Sequence, residues 1–112
     1  MKVEHSVTKV GKLQKIEVLL KDDEGNLSDG EVSMIIKMPD GVEMIYLPAD
    51  AFEETDKGIY AHKKGVSDTF VSRKEKGKYQ ITFVPYSNAE HECIVVLMDE
   101  KKIDDYRFKF TP

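Results

Sequence analysis

The sequence predicts an all-β protein, an antiparallel sandwich of seven to eight strands, on three observations. Apolar residues recur at every second position along most of the chain, the spacing of half-buried strands. Clusters of Gly, Pro, Asp and Asn interrupt these runs at intervals typical of sandwiches. No long stretch carries the 3.6-residue period of a helix. A chain of 112 residues, 34% of them charged, suits a single domain over 1–112 with a wet exterior. A domain of that size buries roughly 60–70% of its extended surface without needing staples.

A first strand is expected near 3–9. "KIEVLLK" then places Ile16, Val18 and Leu20 on one face, and "DDEGNLSDG" supplies a loop. "EVSMIIKM" alternates Val32, Met34, Ile36 and Met38 against Ser33, Ile35 and Lys37. "PDG" at 39–41 is a reversal signal, because proline presets the first turn torsion and glycine accepts positive φ. "VEMIYL" returns as the second arm of a hairpin. "KGKYQITFVP" points Tyr79, Ile81 and Phe83 one way, with a glycine before the run and a proline after it. "HECIVVLM" and "DYRFKF" follow, and Tyr106, Phe108 and Phe110 share a face.

Residues 48–75 break the rhythm, and a structureless loop of that length is uncommon inside a compact domain. "PADAFEE" suits a helical turn or two, whereas "GIYAHKK" and "TFVS" read as short strands. The stretch is expected either to continue the sheet or to form an added excursion.

With 21 acidic and 17 basic residues and a net charge of −4, the chain lacks the basic balance of a general nucleic-acid binder. Arg73, Lys74, Lys76 and Lys78, with Lys63 and Lys64 upstream, form the one local exception. They read first as a solvated hairpin tip broken by Glu75, and second as a contact for phosphate or an acidic peptide. Cys93 is the single cysteine, so no internal disulfide forms, and a reducing, cytoplasmic setting is expected. No segment approaches the ~20 apolar residues of a membrane helix, and the N-terminus lacks a signal core. If Met1 opens an excised domain of a longer protein, that missing signal carries no information.

Chemistry-bearing patterns are sparse. His5, His62 and His91 form no zinc-binding spacing. His91 and Cys93, two apart on one strand face, are the weak candidates for copper or zinc ligands, with His62 as the only natural third. The competing reading makes His91 a partly buried strand-entrance residue and Cys93 a small hydrophobe. The acids at 22–24 and 104–105 sit in turn contexts, where Asp bonds local backbone. No nucleophile elbow, P-loop or dinucleotide fingerprint occurs, and without tryptophan a carbohydrate platform is disfavoured. No catalytic residue, cofactor or metal is expected.

The stretch from Gly77 to Phe110 resembles the end of a filamin-type immunoglobulin repeat. In that pattern a Gly-x-Tyr strand ending in proline leads to a short histidine-containing loop, an apolar strand, a turn and a last strand. Gly77, Tyr79, Pro85, His91, Ile103 and Phe108 take the matching places. Upstream, "KIEVLLKDDEGN" and "EVSMIIKMPDGVE" are similar to the family's second and third strands. Tyr106-Arg107-Phe108 replaces the family's Ser-Pro-Phe, Ala89 replaces a glycine, and the 48–75 stretch is extra. Small bacterial immunoglobulin-like domains share such strand–proline–strand endings.

The resemblance implies an immunoglobulin-like sandwich that is a non-enzymatic spacer, dimerisation unit or docking module. In docking, a partner peptide adds as a strand between the third and fourth strands, held by main-chain bonds and side-chain notches. The corresponding residues are Ser33, Ile35, Lys37, Val42, Met44 and Tyr46, with methionines able to adapt to varied guests. The competing reading makes them ordinary core, with Ile35 covered by the insertion. A protein or peptide partner is thus expected, with no nucleic acid and no membrane. A metal- or ligand-binding sandwich and a homodimer pairing through edge strands are the alternatives.

Overall fold

Eight strands form two four-stranded antiparallel sheets in the computed structural model, which describes residues 2–48, 70–99 and 102–112. In chain order they are β1 (Lys2–Val10), β2 (Leu13–Lys21), β3 (Glu31–Lys37), β4 (Glu43–Tyr46), β5 (Ser72–Glu75), β6 (Lys78–Phe83), β7 (His91–Asp99) and β8 (Lys102–Phe110). One sheet runs β1-β2-β6-β5 and the other β4-β3-β7-β8. That is the strand order of an immunoglobulin-like sandwich, built from the strands that the alternation predicts.

The sheets meet through the residues that the period of two turns inward. Ile16, Val18, Leu20, Tyr79 and Ile81 from one sheet pack against Val32, Met34, Ile36, Cys93 and Val95 from the other, all at most 4% exposed. Burying each such aliphatic side chain contributes about 1.5–3 kcal/mol. Register follows from this pattern, because a one-residue slip would turn every apolar side chain outward. Ile16 therefore lies opposite Ile81, and Ile36 opposite Cys93.

Most turns form where their residues suggest, but Asp104 and Asp105, expected in a turn, lie within β8 opposite Leu97 and Val96. Met38 and Val42 close the β3–β4 hairpin (Met38 N–H to Val42 O, 2.8 Å), with Gly41 at φ +88°. Asp22 Oδ1 accepts the backbone N–H groups of Glu24 and Asn26, both at 2.9 Å, and so shapes the β2–β3 loop. The stretch that breaks the rhythm is shorter than 48–75. Pro48 is buried, Leu47 bridges Phe70, and Ser72–Glu75 pairs with β6 as a short edge strand with a register shift between Arg73 and Glu75. The helical turn expected from "PADAFEE", the strand "GIYAHKK" and residues Lys63 and Lys64 lie outside the described residues.

A polar staple holds one end of the sandwich. Asp29, at the end of the β2–β3 loop, accepts two hydrogen bonds from Arg73 (Nε 3.0 Å, Nη2 2.8 Å). The same carboxylate accepts the Gly77 N–H at 2.9 Å and the Tyr79 hydroxyl at 3.2 Å. Tyr79 in turn bonds the Gly30 carbonyl at 2.9 Å. Arg73, Gly77 and Tyr79 thus bind the loop to the β5–β6 hairpin. The Arg73 guanidinium holds the Asp29 carboxyl well below the usual carboxylate range.

Candidate interaction surface

The six residues aligned with the family's docking groove do not line one surface. Ser33, Ile35 and Lys37 sit on the outer face of β3, whereas Tyr46 is 2% exposed in the core and Met44 packs against it. Val42, 50% exposed, belongs to the hairpin turn, where its N–H bonds Asp40. More importantly, β3 is an interior strand. Met34 pairs with both Tyr46 on β4 and Val95 on β7, and Ile36 with both Met44 and Cys93. The place beside β3 that a guest strand would take is filled by β4. Four residues of hairpin return, anchored by the buried Tyr46, make the difference.

The histidine and cysteine candidates are likewise separated from ligand chemistry. His91 is 1% exposed, deeper than an entrance position implies. Its Nδ1–H donates to the Ala89 carbonyl at 2.7 Å, which leaves Nε2 buried without a partner. Phe83 and Phe110 flank the ring, with centroids 6.2 and 5.5 Å away. Burial pushes the Cys93 thiol up to about 12, so it is a neutral core group rather than a thiolate ligand. His62 lies outside the described residues. Among the described residues, no three His, Cys, Asp or Glu side chains converge as a metal site. In the basic cluster, Arg73 is committed to Asp29 and Lys78 to Glu75.

The long unoccupied strand edges are elsewhere. Among the described residues, β1 pairs with β2 alone and β8 with β7 alone, each over nine residues. The opposite margin ends in β4 and β5, four residues each, tied together by the Val71 N–H to Leu47 carbonyl bond at 2.8 Å. β1 and β8 run side by side at their own margin, one from each sheet. His5 joins them: its ring stacks on Phe108 at 3.7 Å and 7°, and its Nδ1 meets the Tyr106 hydroxyl at 2.7 Å. Burial lowers the His5 pKa. Near the start of both strands a cleft of about 430 Å³ opens between Val3, Leu97 and Tyr106, rimmed by Lys2 and Glu4.

An edge strand leaves alternate N–H and C=O groups pointing into solvent, where another strand can bond them. The two margins differ in how much of this backbone they offer. Side chains differ too. On β8 the core side carries Tyr106, Phe108 and Phe110, whereas Asp105, Arg107 and Lys109 point outward, 52%, 54% and 65% exposed. The outer face of that sheet also bears an apolar run, in which Ile35 lies opposite Ile94 and the exposed Met98 opposite Ile103. Outer positions on the other sheet are polar instead, as in Glu17 against Gln80 and Lys15 against Thr82. The aromatic and charged alternation of "DYRFKF" assigns the two faces of β8, and nothing in the sequence marks it as a rim.

No protein-family model and no curated protein matches the chain. Among solved structures, it is similar to the outer membrane decaheme cytochrome OmcA, with a TM-score of 0.51 and 15% identity. The match covers 99% of this chain, which spans 22% of the length of the cytochrome. With one cysteine, this sequence has no C-x-x-C-H haem attachment, so the likeness concerns the sandwich. The chain is a two-sheet antiparallel β-sandwich similar to one part of that larger protein.

Proposed function

We propose that the chain is a non-enzymatic interaction module that takes an extended segment of a protein partner as an added strand on the β1/β8 margin. The observation that carries this reading is the pair of nine-residue edges, each bonded on one side only among the described residues. A guest six to eight residues long would gain main-chain hydrogen bonds along such an edge, and its alternate side chains would contact the flanking faces. The aromatic surface of Tyr106 and Phe108 and the cleft beside Val3 supply contact area for those side chains. The filamin-type resemblance of the second half supports the same class of function, transferred from the third strand to the outer margin.

The test is a selection of displayed extended octapeptides on the isotopically labelled chain, followed by backbone amide mapping. Binders should shift amides of β1 or β8. N-methylation of one alternate set of guest amides should abolish binding, while methylation of the other set leaves it intact. Binders that map away from both strands, or that tolerate both methylation patterns, sink the reading.

A further inference from the structure

We propose that the edge of β8 that faces away from β7 pairs with the same edge of a second copy of this chain, antiparallel about Tyr106, to give a two-fold dimer. This rests on the edge-addition reading and names the partner. The argument is one of register and charge. A two-fold axis perpendicular to the sheet continues it while keeping inner faces inner, so only registers that place same-face residues opposite each other are open. The outward-facing residues of β8 are Ile103, Asp105, Arg107 and Lys109, in that order.

Centring the pair on Asp105 sets that carboxylate against its own copy, and centring on Arg107 sets two guanidinium groups face to face. Moving further along, to Phe108, opposes Arg107 to the partner's Lys109. Centring on Tyr106 avoids every such clash: Asp105 lies opposite the partner's Arg107, Arg107 opposite the partner's Asp105, and Ile103 opposite the partner's Lys109. Opposite charges directly across a strand pair stabilise it, and like charges destabilise it. Within one copy Arg107 Nε already bonds Asp105 Oδ2 at 2.8 Å, so dimerisation closes a ring of four alternating charges.

β1 does not share this property over its length, since Lys2 meets the partner's Glu4 only in a short overlap centred on Val3. Centred on Ser6, its outward Glu4 meets Thr8 and Lys2 meets Val10, with no complementary pair. β4 and β5 offer four residues each, and β5 carries a register shift between Arg73 and Glu75. Exposure of Asp105, Arg107 and Lys109 at half or more leaves room for the second strand.

Sedimentation equilibrium over a concentration series, at low and high salt, tests the proposal. The wild-type chain should dimerise, less tightly as salt rises. Asp105→Arg and Arg107→Asp should each weaken self-association about tenfold or more, because both symmetry-related pairs become repulsive at once. An equimolar mixture of the two variants should form a heterodimer as tight as the wild type, since every crossing then joins an arginine to an aspartate. Circular dichroism melts of each variant alone separate loss of pairing from loss of folding. A wild-type chain that stays monomeric to about 1 mM, or a mixture no tighter than its components, overturns the proposal. A monomeric chain that still captures peptides on β8 overturns self-pairing alone and leaves the wider reading standing.

Discussion

Replacing Gly77 by alanine should unfold the protein more readily than the same change at Gly41, although both glycines hold positive φ, +73° and +88°. An alanine in the left-handed region costs about 1–2 kcal/mol at either site. Its smaller unfolded-state entropy returns about 0.4–1 kcal/mol at both. These effects cancel in the comparison. What remains is the neighbourhood. A Cβ on Gly41 meets nothing within 4 Å, whereas on Gly77 it would lie 2.9 Å from the Leu20 carbonyl oxygen and 3.0 Å from the Ser28 nitrogen.

The Leu27 Cβ also lies 3.0 Å away. The two backbone atoms bond each other: Ser28 N–H donates to Leu20 O at 3.0 Å, while Leu20 N–H donates to Gly77 O at 2.8 Å. Relief must therefore stretch or break these bonds and the Gly77 N–H bond to Asp29. At about 0.5–1.5 kcal/mol for each hydrogen bond, the Gly77 variant should lose about 1–3 kcal/mol more than the Gly41 variant. Urea unfolding followed by tyrosine fluorescence reads this directly. With slopes of about 1–3 kcal/mol per molar, the two midpoints should separate by about 1 M. Coincident midpoints would refute the claim that close approach, rather than backbone torsion, sets the demand for glycine at 77.

Three further outcomes follow from the charged and titratable groups. Asp29 is depressed in the folded state, so its contribution is complete above about pH 5 and fades as pH falls through the carboxylate range; Asp29→Asn should be less stable than wild type at pH 7, with the gap closing under acid in pH-dependent melts. His5 is also depressed, by burial, so the unfolded chain takes up its proton first and stability declines as pH drops below about 6.5. His5→Phe keeps a ring against Phe108 and should flatten that part of the pH profile; an unchanged slope would place its origin elsewhere. Cys93, fully buried with its thiol pushed up to about 12, should react with a disulfide reagent at pH 8 only as fast as the protein opens. Fast labelling of the folded chain would contradict its place in the core.

Much of this architecture is legible in residue order, because strand faces follow from local chemistry. Tyr79, Ile81 and Phe83 are inward in the sequence pattern and at most 5% exposed in the fold. Gly41 after Pro39-Asp40 turns the chain as its torsional freedom predicts. The candidate site was less legible. Period-two alternation states which face a residue takes but not which strand lies beside it, so β3 reads equally well as a rim or as an interior strand. The neighbours of β3 are chosen by packing, with Tyr46 buried from β4 and Val95 from β7. Similarly, nothing in the spacing of Asp29 and Arg73 joins them, since their contact exists only once β2, β5 and β6 share a sheet end.

The residues by themselves thus determined an all-β chain, its inward faces and most of its reversals, because those depend on neighbours one to four positions away. Tertiary structure alone decided that β1 and β8 are the long edges, that His91 is sealed between Phe83 and Phe110, and that the outward charges of β8 stand on a rim. Those outcomes depend on strands separated by most of the chain, as His5 and Tyr106 are. Their association is selected by burial of apolar area, which no local pattern encodes.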